Sequence, residues 1–330
     1  MNIAVVILNW NGRALLEKFL PSVVKFSSEA TIYVADNAST DTSVSFISEN
    51  FPTIKIIQNT SNGGYAKGYN DALANLSEAL LVLLNSDVEV TENWLTPMIR
   101  AFNNDNSLVA AQPKILDYNH KDTFEYAGAA GGFIDAFAYP YCRGRIFNAI
   151  EKDSGQYNDE AVIFWASGAC LFVRNEAFKA INGFDEDFFA HQEEIDLCWR
   201  LQAKGGVIKY IGSSSIYHVG GATLSSANPQ KTFYNFRNTL LALVKNVKGS
   251  GVWGIILIRL ILDAVAAFQF AFQGKFRHSF AVLRAHLSFY GYLPKFLIKR
   301  ANTSSKLKYY DVKSIVFKHF INKIYNFKEL

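Results

Sequence analysis

Four short apolar runs, at residues 3–8, 31–35, 54–58 and 79–84, are spaced along the N-terminal part of the chain with helix-like stretches between them. Each run is continuous rather than alternating, the pattern of a strand covered on both faces. The stretches between, 13–26, 42–50 and 65–75, carry apolar residues at helical spacing. In the first of them Leu15, Leu16, Phe19, Leu20, Val23 and Val24 form one stripe, with a kink expected at Pro21. This order confines the chain to an α/β fold with a mostly parallel sheet flanked by helices. Ligands on such sheets bind beyond the carboxyl ends of the strands. The polar residues that close the runs are therefore the first candidates: Asn9, Asp36 with Asn37, Asn59, Asn85 and Asp87.

The other constraints are broader. Half of the 330 residues are hydrophobic and 15% are aromatic, enough for a sizeable core. A net charge of +4 asks for no nucleic-acid partner. Cys142, Cys170 and Cys198 are too few and too scattered for a disulfide framework or a zinc site, and a reducing compartment suits them. The 3–8 run is too short for a secretory h-region and has no basic segment before it, so a buried first strand is expected rather than a signal peptide.

Residues 112–160 are rich in glycine and aromatics with weak periodicity, so loops and short strands that shape an acceptor side are expected there. Strands are expected at 161–165, 170–173, 207–211 and 215–218, and helices at 175–181 and 193–204. From about residue 229 the chain turns to long helices, which divides it into 1–228 and a C-terminal helical extension, 229–330. The stretch 251–273 is long enough to cross a bilayer, but Arg259 and Asp263, spaced to pair, make that costly. An interfacial or packed helix is expected. Lys295, Lys299 and other C-terminal bases point toward an anionic membrane surface.

Neither the glycine-rich dinucleotide fingerprint nor a P-loop is present. Asp36 in Asp36-Asn37-Ala38-Ser39-Thr40-Asp41 has the chemistry to accept from a ribose or a base N–H, while Ser39, Thr40 or Asp41 is suited to cap the next helix. In Asn62-Gly63-Gly64-Tyr65-Ala66-Lys67-Gly68-Tyr69-Asn70 the glycines allow close backbone approach to a ligand. The helix start then offers free N–H groups, and Lys67 a charge, to an anion; a plain glycine turn is the alternative. Asp87, in Asn85-Ser86-Asp87, ends a buried strand and needs a cation or hydrogen bonds there. Mg2+ or Mn2+ held by Asp87 and a diphosphate satisfies that need, with His218 a further ligand or a structural histidine.

The densest acidic stretch runs from Gly183-Phe184-Asp185-Glu186-Asp187 into Glu193-Glu194-Ile195-Asp196-Leu197-Cys198-Trp199-Arg200. Close carboxylates serve general-base chemistry or metal binding, or decorate a solvated helix. On a helix Glu193, Asp196 and Arg200 share a face, with Asp196 and Arg200 spaced to pair. Glu194 projects about 100° away from Glu193.

Taken in order, these motifs, with Val5-Val6-Ile7-Leu8-Asn9-Trp10-Asn11-Gly12 and Ser167-Gly168-Ala169, resemble the glycosyltransferase family 2 enzymes of GT-A fold, particularly the bacterial rhamnosyltransferase-like members. The resemblance covers about residues 1–240. It implies a Rossmann-like sheet and an inverting transfer from a nucleotide-sugar donor to a glycan or lipid-linked acceptor, by a cytoplasmic enzyme peripheral at the inner face of the cell membrane. It places Asp36 on the donor base or ribose and Asn9, Asn62, Gly63, Gly64, Lys67, Asn70, Asn85 and Ser86 around the donor. Asp87 falls on the metal-binding aspartate of the family's D-x-D pattern and His218 on a histidine that closes the site. Asn85 replaces the first aspartate of that pattern, leaving fewer charges for the metal. Glu194 stands at the base position where the family has aspartate, with Glu193 the competing assignment and Asp185, Asp196 and Arg200 in support. Two other classes fit less well. A nucleotidyltransferase lacks its arginine-containing first loop here, and a non-catalytic binding module leaves the acidic helix without a purpose.

Overall fold

The computed structural model describes residues 1–220, 228–303, 305 and 307–330. The alternation read from the N-terminal runs is present: β1 (Ile3–Asn9), α1 (Arg13–Phe26), β2 (Thr31–Asp36), α2 (Ser43–Asn50), β3 (Lys55–Gln58), α3 (Gly64–Leu73) and β4 (Leu80–Asn85). Ile3, Val5 and Ile7 pack on one side of the sheet with Leu16 and Leu20 of α1, while Ala4 and Val6 face Ala66, Tyr69 and Leu73 of α3 on the other. Both faces of β1 are covered, which is why the run has no polar interruptions. Pro21 lies on the exposed face of an α1 that continues through it.

Strands β1, β2 and β3 are parallel neighbours, and β4 pairs in parallel on the other side of β1. The strand order therefore reverses at β1, and Asn9 opposite Asp36 and Leu8 opposite Asn85 bring three polar strand ends to that point. A crevice at such a reversal is where open α/β sheets bind ligands.

The chain continues through β5 (Val88–Val90), α4 (Leu95–Asn104) and β6 (Leu108–Asp117). It then forms a small antiparallel sheet of β7 (Gly132–Ile134), β8 (Pro140–Cys142), β9 (Arg145–Ile146) and β10 (Ala149–Ile150). It returns through β11 (Glu160–Val162), β12 (Cys170–Arg174), α5 (Asn175–Ala180), α6 (Glu193–Ala203) and β13 (Val207–His218). Among the described residues the main sheet has nine strands, ordered β11-β13-β6-β12-β4-β1-β2-β3, with β5 alongside β13. The two strands expected at 207–211 and 215–218 are one strand with a register shift between Ile211 and Ser215. There Ser214 Oγ turns aside to donate to Trp94 O at 2.6 Å, and the displaced segment is a bulge rather than a break. Beyond the bulge β13 runs against β5, which sets His218 opposite Val88, next to Asp87.

The C-terminal helices are α7 (Pro229–Asn246), α8 (Val252–Phe272), α9 (Phe276–Thr303) and α10 (Ile315–Phe320). Leu240, Leu241, Leu243 and Val244 of α7 share one core with Ile195, Leu197 and Leu201 of α6. Helix α8 is long and apolar enough to cross a membrane. Its Arg259 and Asp263 form the expected pair at 2.7 Å, and both face inward. Arg259 Nη1 donates to Phe137 O and Tyr139 Oη to Asp263, so the pair is anchored to the α/β body. The outer face leaves Leu257, Ile261, Val265, Phe268 and Phe272 exposed, and α9 adds Phe280, Leu283 and Leu287.

Candidate active site

At the reversal point Asn9 is fully buried, and its Nδ2 donates to Asp36 Oδ1 and to Ser39 Oγ, each at 3.2 Å. Asp36 also accepts from Ser39 N at 3.0 Å. These bonds leave lone pairs on the Asp36 carboxylate for a further donor. Asn9 Oδ1 is enclosed without a partner, close against Gly12. The N-cap of α2 is Thr42 rather than Ser39, Thr40 or Asp41 and makes no side-chain cap bond; Asp41, one residue earlier, accepts from Ser43 N and Oγ.

The glycine segment is built differently from expectation. Asn62 Oδ1 accepts from Gly64 N, and Phe189 O accepts from Tyr65 N at 2.9 Å and Ala66 N at 3.4 Å. The first N–H groups of α3 are thus taken by the protein itself rather than offered to an anion. Gly64 adopts φ +72°, and a Cβ there would lie 2.6 Å from Phe189 O. Its glycine is required by the approach of that loop as well as by its backbone. Gly63 precedes it, packed over the Lys67 side chain. Lys67 pairs with Asp71 at 2.8 Å instead of standing free for a phosphate. Asn70 is occupied too, accepting from Phe184 N and donating to Phe184 O, which ties α3 to the acidic segment.

On the other side of β1, Asn85 Nδ2 lies 3.4 Å from His218 Nε2, and Ser86 begins the turn to Asp87. His218 Nε2 is 3.1 Å from Asp87 Oδ1, and its Nδ1 is 3.4 Å from Glu125 Oε2, all three groups being buried. Burial works against a charge on His218, but Glu125 and then Asp87 outweigh it and push its pKa up to about 10. Glu125 sits in the glycine- and aromatic-rich middle, where no periodicity marks it. Among the described residues no group of three His, Cys, Asp or Glu side chains forms a complete cage. With His218 held as an imidazolium between two carboxylates, Asp87 is the oxygen ligand this place offers, and the imidazole becomes a second ligand only on losing its proton; the other oxygens of a divalent ion would come from a diphosphate and water.

The acidic helix follows a connection with an unusual backbone. Phe189, His191 and Gln192 have φ of 64°, 66° and 72°, and Gln192 gives α6 no side-chain cap. Such values are rare outside glycine and persist only where the surroundings dictate them. Glu193 is 5% exposed and Glu194 is half-buried, and each encloses an Oε2 without a hydrogen-bond partner. Burial and then the neighbouring Glu194 raise Glu193 well above the ordinary carboxylate range, while burial pushes Glu194 up to about 7. Burial thus raises the pair above the ordinary carboxylate range, so that it keeps a proton to higher pH than free glutamates do.

Asp196, Arg200 and Asp185 are brought together as a support. Asp196 is fully buried and accepts from Arg200 Nε, Lys245 Nζ and Asn246 Nδ2. Burial raises its pKa, but Arg200 and Lys245 more than offset that and hold it well below the usual value. Arg200 also donates to Ile181 O and Gly183 O, and Lys245 bridges to Asp185. Two of the bases read as pointing toward an anionic surface have partners within the protein: Lys295 pairs with Asp187 at 2.7 Å, and Lys299 with Asp185 and Asp187. Spacing along the chain does not foreshadow Arg237, Asn238, Lys245 and Asn246 of α7, which all turn toward this acidic segment.

A reversed parallel sheet with buried acids at its strand ends and a second acidic helix alongside is the architecture of the GT-A glycosyltransferases. A structure of GalNAc-T7 with UDP, GalNAc and Mn2+ superposes with a TM-score of 0.59 at 15% identity, over 74% of this chain and 48% of that one. A Pyrobaculum calidifontis mannosyltransferase with GDP-Man and Mn2+ gives 0.53 at 13% identity, over 98% of this chain and 88% of that one. The chain belongs to glycosyl transferase family 2, whose pattern matches residues 4–181, and it is a glycosyltransferase. It is 24% identical over 229 residues to an N-acetylglucosaminyl-diphospho-decaprenol L-rhamnosyltransferase of Mycobacterium tuberculosis (strain ATCC 25618 / H37Rv), covering 65% of this chain and 75% of that protein. It is 26% identical over 167 residues to rhamnosyltransferase WbbL of Escherichia coli (strain K12), covering 48% of this chain and 62% of that one.

Proposed function

We propose that the protein transfers a sugar, with rhamnose the first candidate, from a nucleoside-diphosphate donor to a hydroxyl of a lipid-linked or glycan acceptor in cell-surface polysaccharide synthesis. The names of the relatives support the sugar and the acceptor class. The observation that carries the mechanism is the pair of adjacent carboxyls Glu193 and Glu194, each with an enclosed Oε2 that has no partner, directly after a loop whose Phe189 carbonyl accepts from the first turn of α3. Glu194 takes the proton of the acceptor hydroxyl as that oxygen attacks the anomeric carbon. The diphosphate leaves from the opposite face, configuration inverts, and one base is sufficient. Asp36 accepts from the donor's ribose or base, and Asn9 orients Asp36. Asn62 holds Asn37 and Gly64 in place at the same edge. Asp87, with His218 once it has lost its proton, would hold Mg2+ or Mn2+, and the ion would supply charge neutralisation for the departing diphosphate.

In this scheme residues 1–228 carry the chemistry and 229–330 dock the enzyme on the cytoplasmic face of the cell membrane. The inward anchorage of Arg259 and Asp263 and the apolar outer row of α8 support a helix lying on the bilayer. Glu194→Gln tests the assignment of the base. It is expected to abolish transfer while a nucleotide sugar with Mn2+ still raises the melting temperature. Full transfer by that variant ends the assignment.

A further inference from the structure

We infer that Arg237 and Asn238 of α7 are positioning residues that hold the acceptor-activating carboxylate in place, an inference that rests on Glu194 being the base. Asn238 is fully buried. Its Nδ2 donates to three carbonyls of one loop: Phe188 O and Ala190 O, each at 3.0 Å, and His191 O at 2.7 Å. Arg237 Nε donates to Asn238 Oδ1 at 2.8 Å and so fixes which way the amide faces. Arg237 Nη2 adds contacts to Asp187 O at 3.1 Å and Phe188 O at 3.3 Å. The remaining carbonyl of that run, Phe189 O, accepts from the first turn of α3. Every carbonyl from residue 187 to residue 191 therefore has a named partner, four of them on α7.

The left-handed backbone at Phe189, His191 and Gln192 is what turns these carbonyls inward toward one amide. Without that amide the turned-in oxygens would be buried and unsatisfied, and the loop would relax toward ordinary φ. Two residues after His191 come Glu193 and Glu194, at the uncapped start of α6. A shift of the loop is transmitted directly to the base. A stacked contact between Phe189 and Tyr234, with ring centroids 5.6 Å apart, adds a third hold from α7. All three residues lie beyond the stretch 4–181 that the family pattern matches.

Two variants test this. Asn238→Asp keeps the shape but removes the donors, and Arg237→Gln leaves the Asn238 amide in place while removing its orienting partner. In each, kcat is expected to fall about 10²-fold with donor KM changed less than about twofold. The midpoint of the ascending pH limb should move from about 7 toward the ordinary carboxylate range as the loosened loop admits water. Amide exchange at residues 189–192 should speed up in both. A folded variant with unaltered kcat and midpoint overturns the proposal. So does a loss of kcat with an unmoved midpoint, which marks a merely structural role. If Asn238→Asp does not fold, the same readouts on Arg237→Gln decide. Transfer by Glu194→Gln would reject the base and the positioning role together, whereas wild-type exchange at 189–192 in both variants would reject the clamp alone.

Discussion

Glu194 and His218 both have pKa values raised from the ordinary range in ways that bear on the proposed turnover. Because burial lifts Glu194 to about 7, kcat is expected to rise with pH along a limb centred there, and a profile flat from pH 5 to 8 would contradict it. The same shift has a consequence for stability. Between the ordinary glutamate value of 4.5 and about 7 the folded state binds more protons than the unfolded state, so this group weakens the fold as pH rises through that window. Glu194→Gln should therefore be more stable than the parent at pH 8, by on the order of 1 kcal/mol in chemical denaturation. His218 is held between Asp87 and Glu125. Removing the outer of these partners, in Glu125→Gln, should raise the Mn2+ concentration needed for half-maximal transfer by about tenfold. An unchanged metal titration would remove His218 from the metal site.

Helices α3 and α6 are joined by contacts that no propensity rule anticipates. Gly64 admits the carbonyl of Phe189, and α6 is fastened through Asp196 to Arg200, Lys245 and Asn246. Asp196→Ala leaves buried Arg200 without its carboxylate and Lys245 with Asp185 alone, and is expected to cost about 3–5 kcal/mol, measured by urea unfolding. A loss below about 1 kcal/mol would show the network to be a solvated surface cluster. The acidic stretch thus separates into parts. Asp185 and Asp196 are internal counter-ions, and among the described residues Glu193 and Glu194 are, with the exposed Glu186, the carboxyls of this stretch without a cation within salt-bridge distance.

For the whole molecule, the outer faces of α8 and α9 set the relation to its surroundings. The exposed row from Leu257 to Phe272 is continuous and apolar, while Lys295 and Lys299 are engaged internally. Binding to vesicles should accordingly depend on apolar contact more than on lipid charge. The double variant Ile261→Glu and Phe268→Glu is expected to stay in the soluble fraction on liposome flotation, with transfer to a short water-soluble acceptor retained. Flotation of that variant together with the parent would place the membrane contact elsewhere.

What the chain determined by itself is the local and periodic part. Unbroken apolar runs bounded by polar residues specify buried parallel strands, and helical spacing specifies the pairs Asp196–Arg200 and Arg259–Asp263, because both depend on neighbours along the backbone. The order of the strand-end motifs was legible for the same reason. Tertiary structure decided which side chains remain available. Lys67 and Asn70 look like ligand residues in sequence, yet they are consumed by Asp71 and Phe184. Glu125 and Asn238 carry no local signal, yet they reach His218 and the loop before α6 across 93 and about 50 residues of chain. The state of Glu194 belongs to this second kind, since a carboxyl's pKa is set by what surrounds it in space, and here burial raises it.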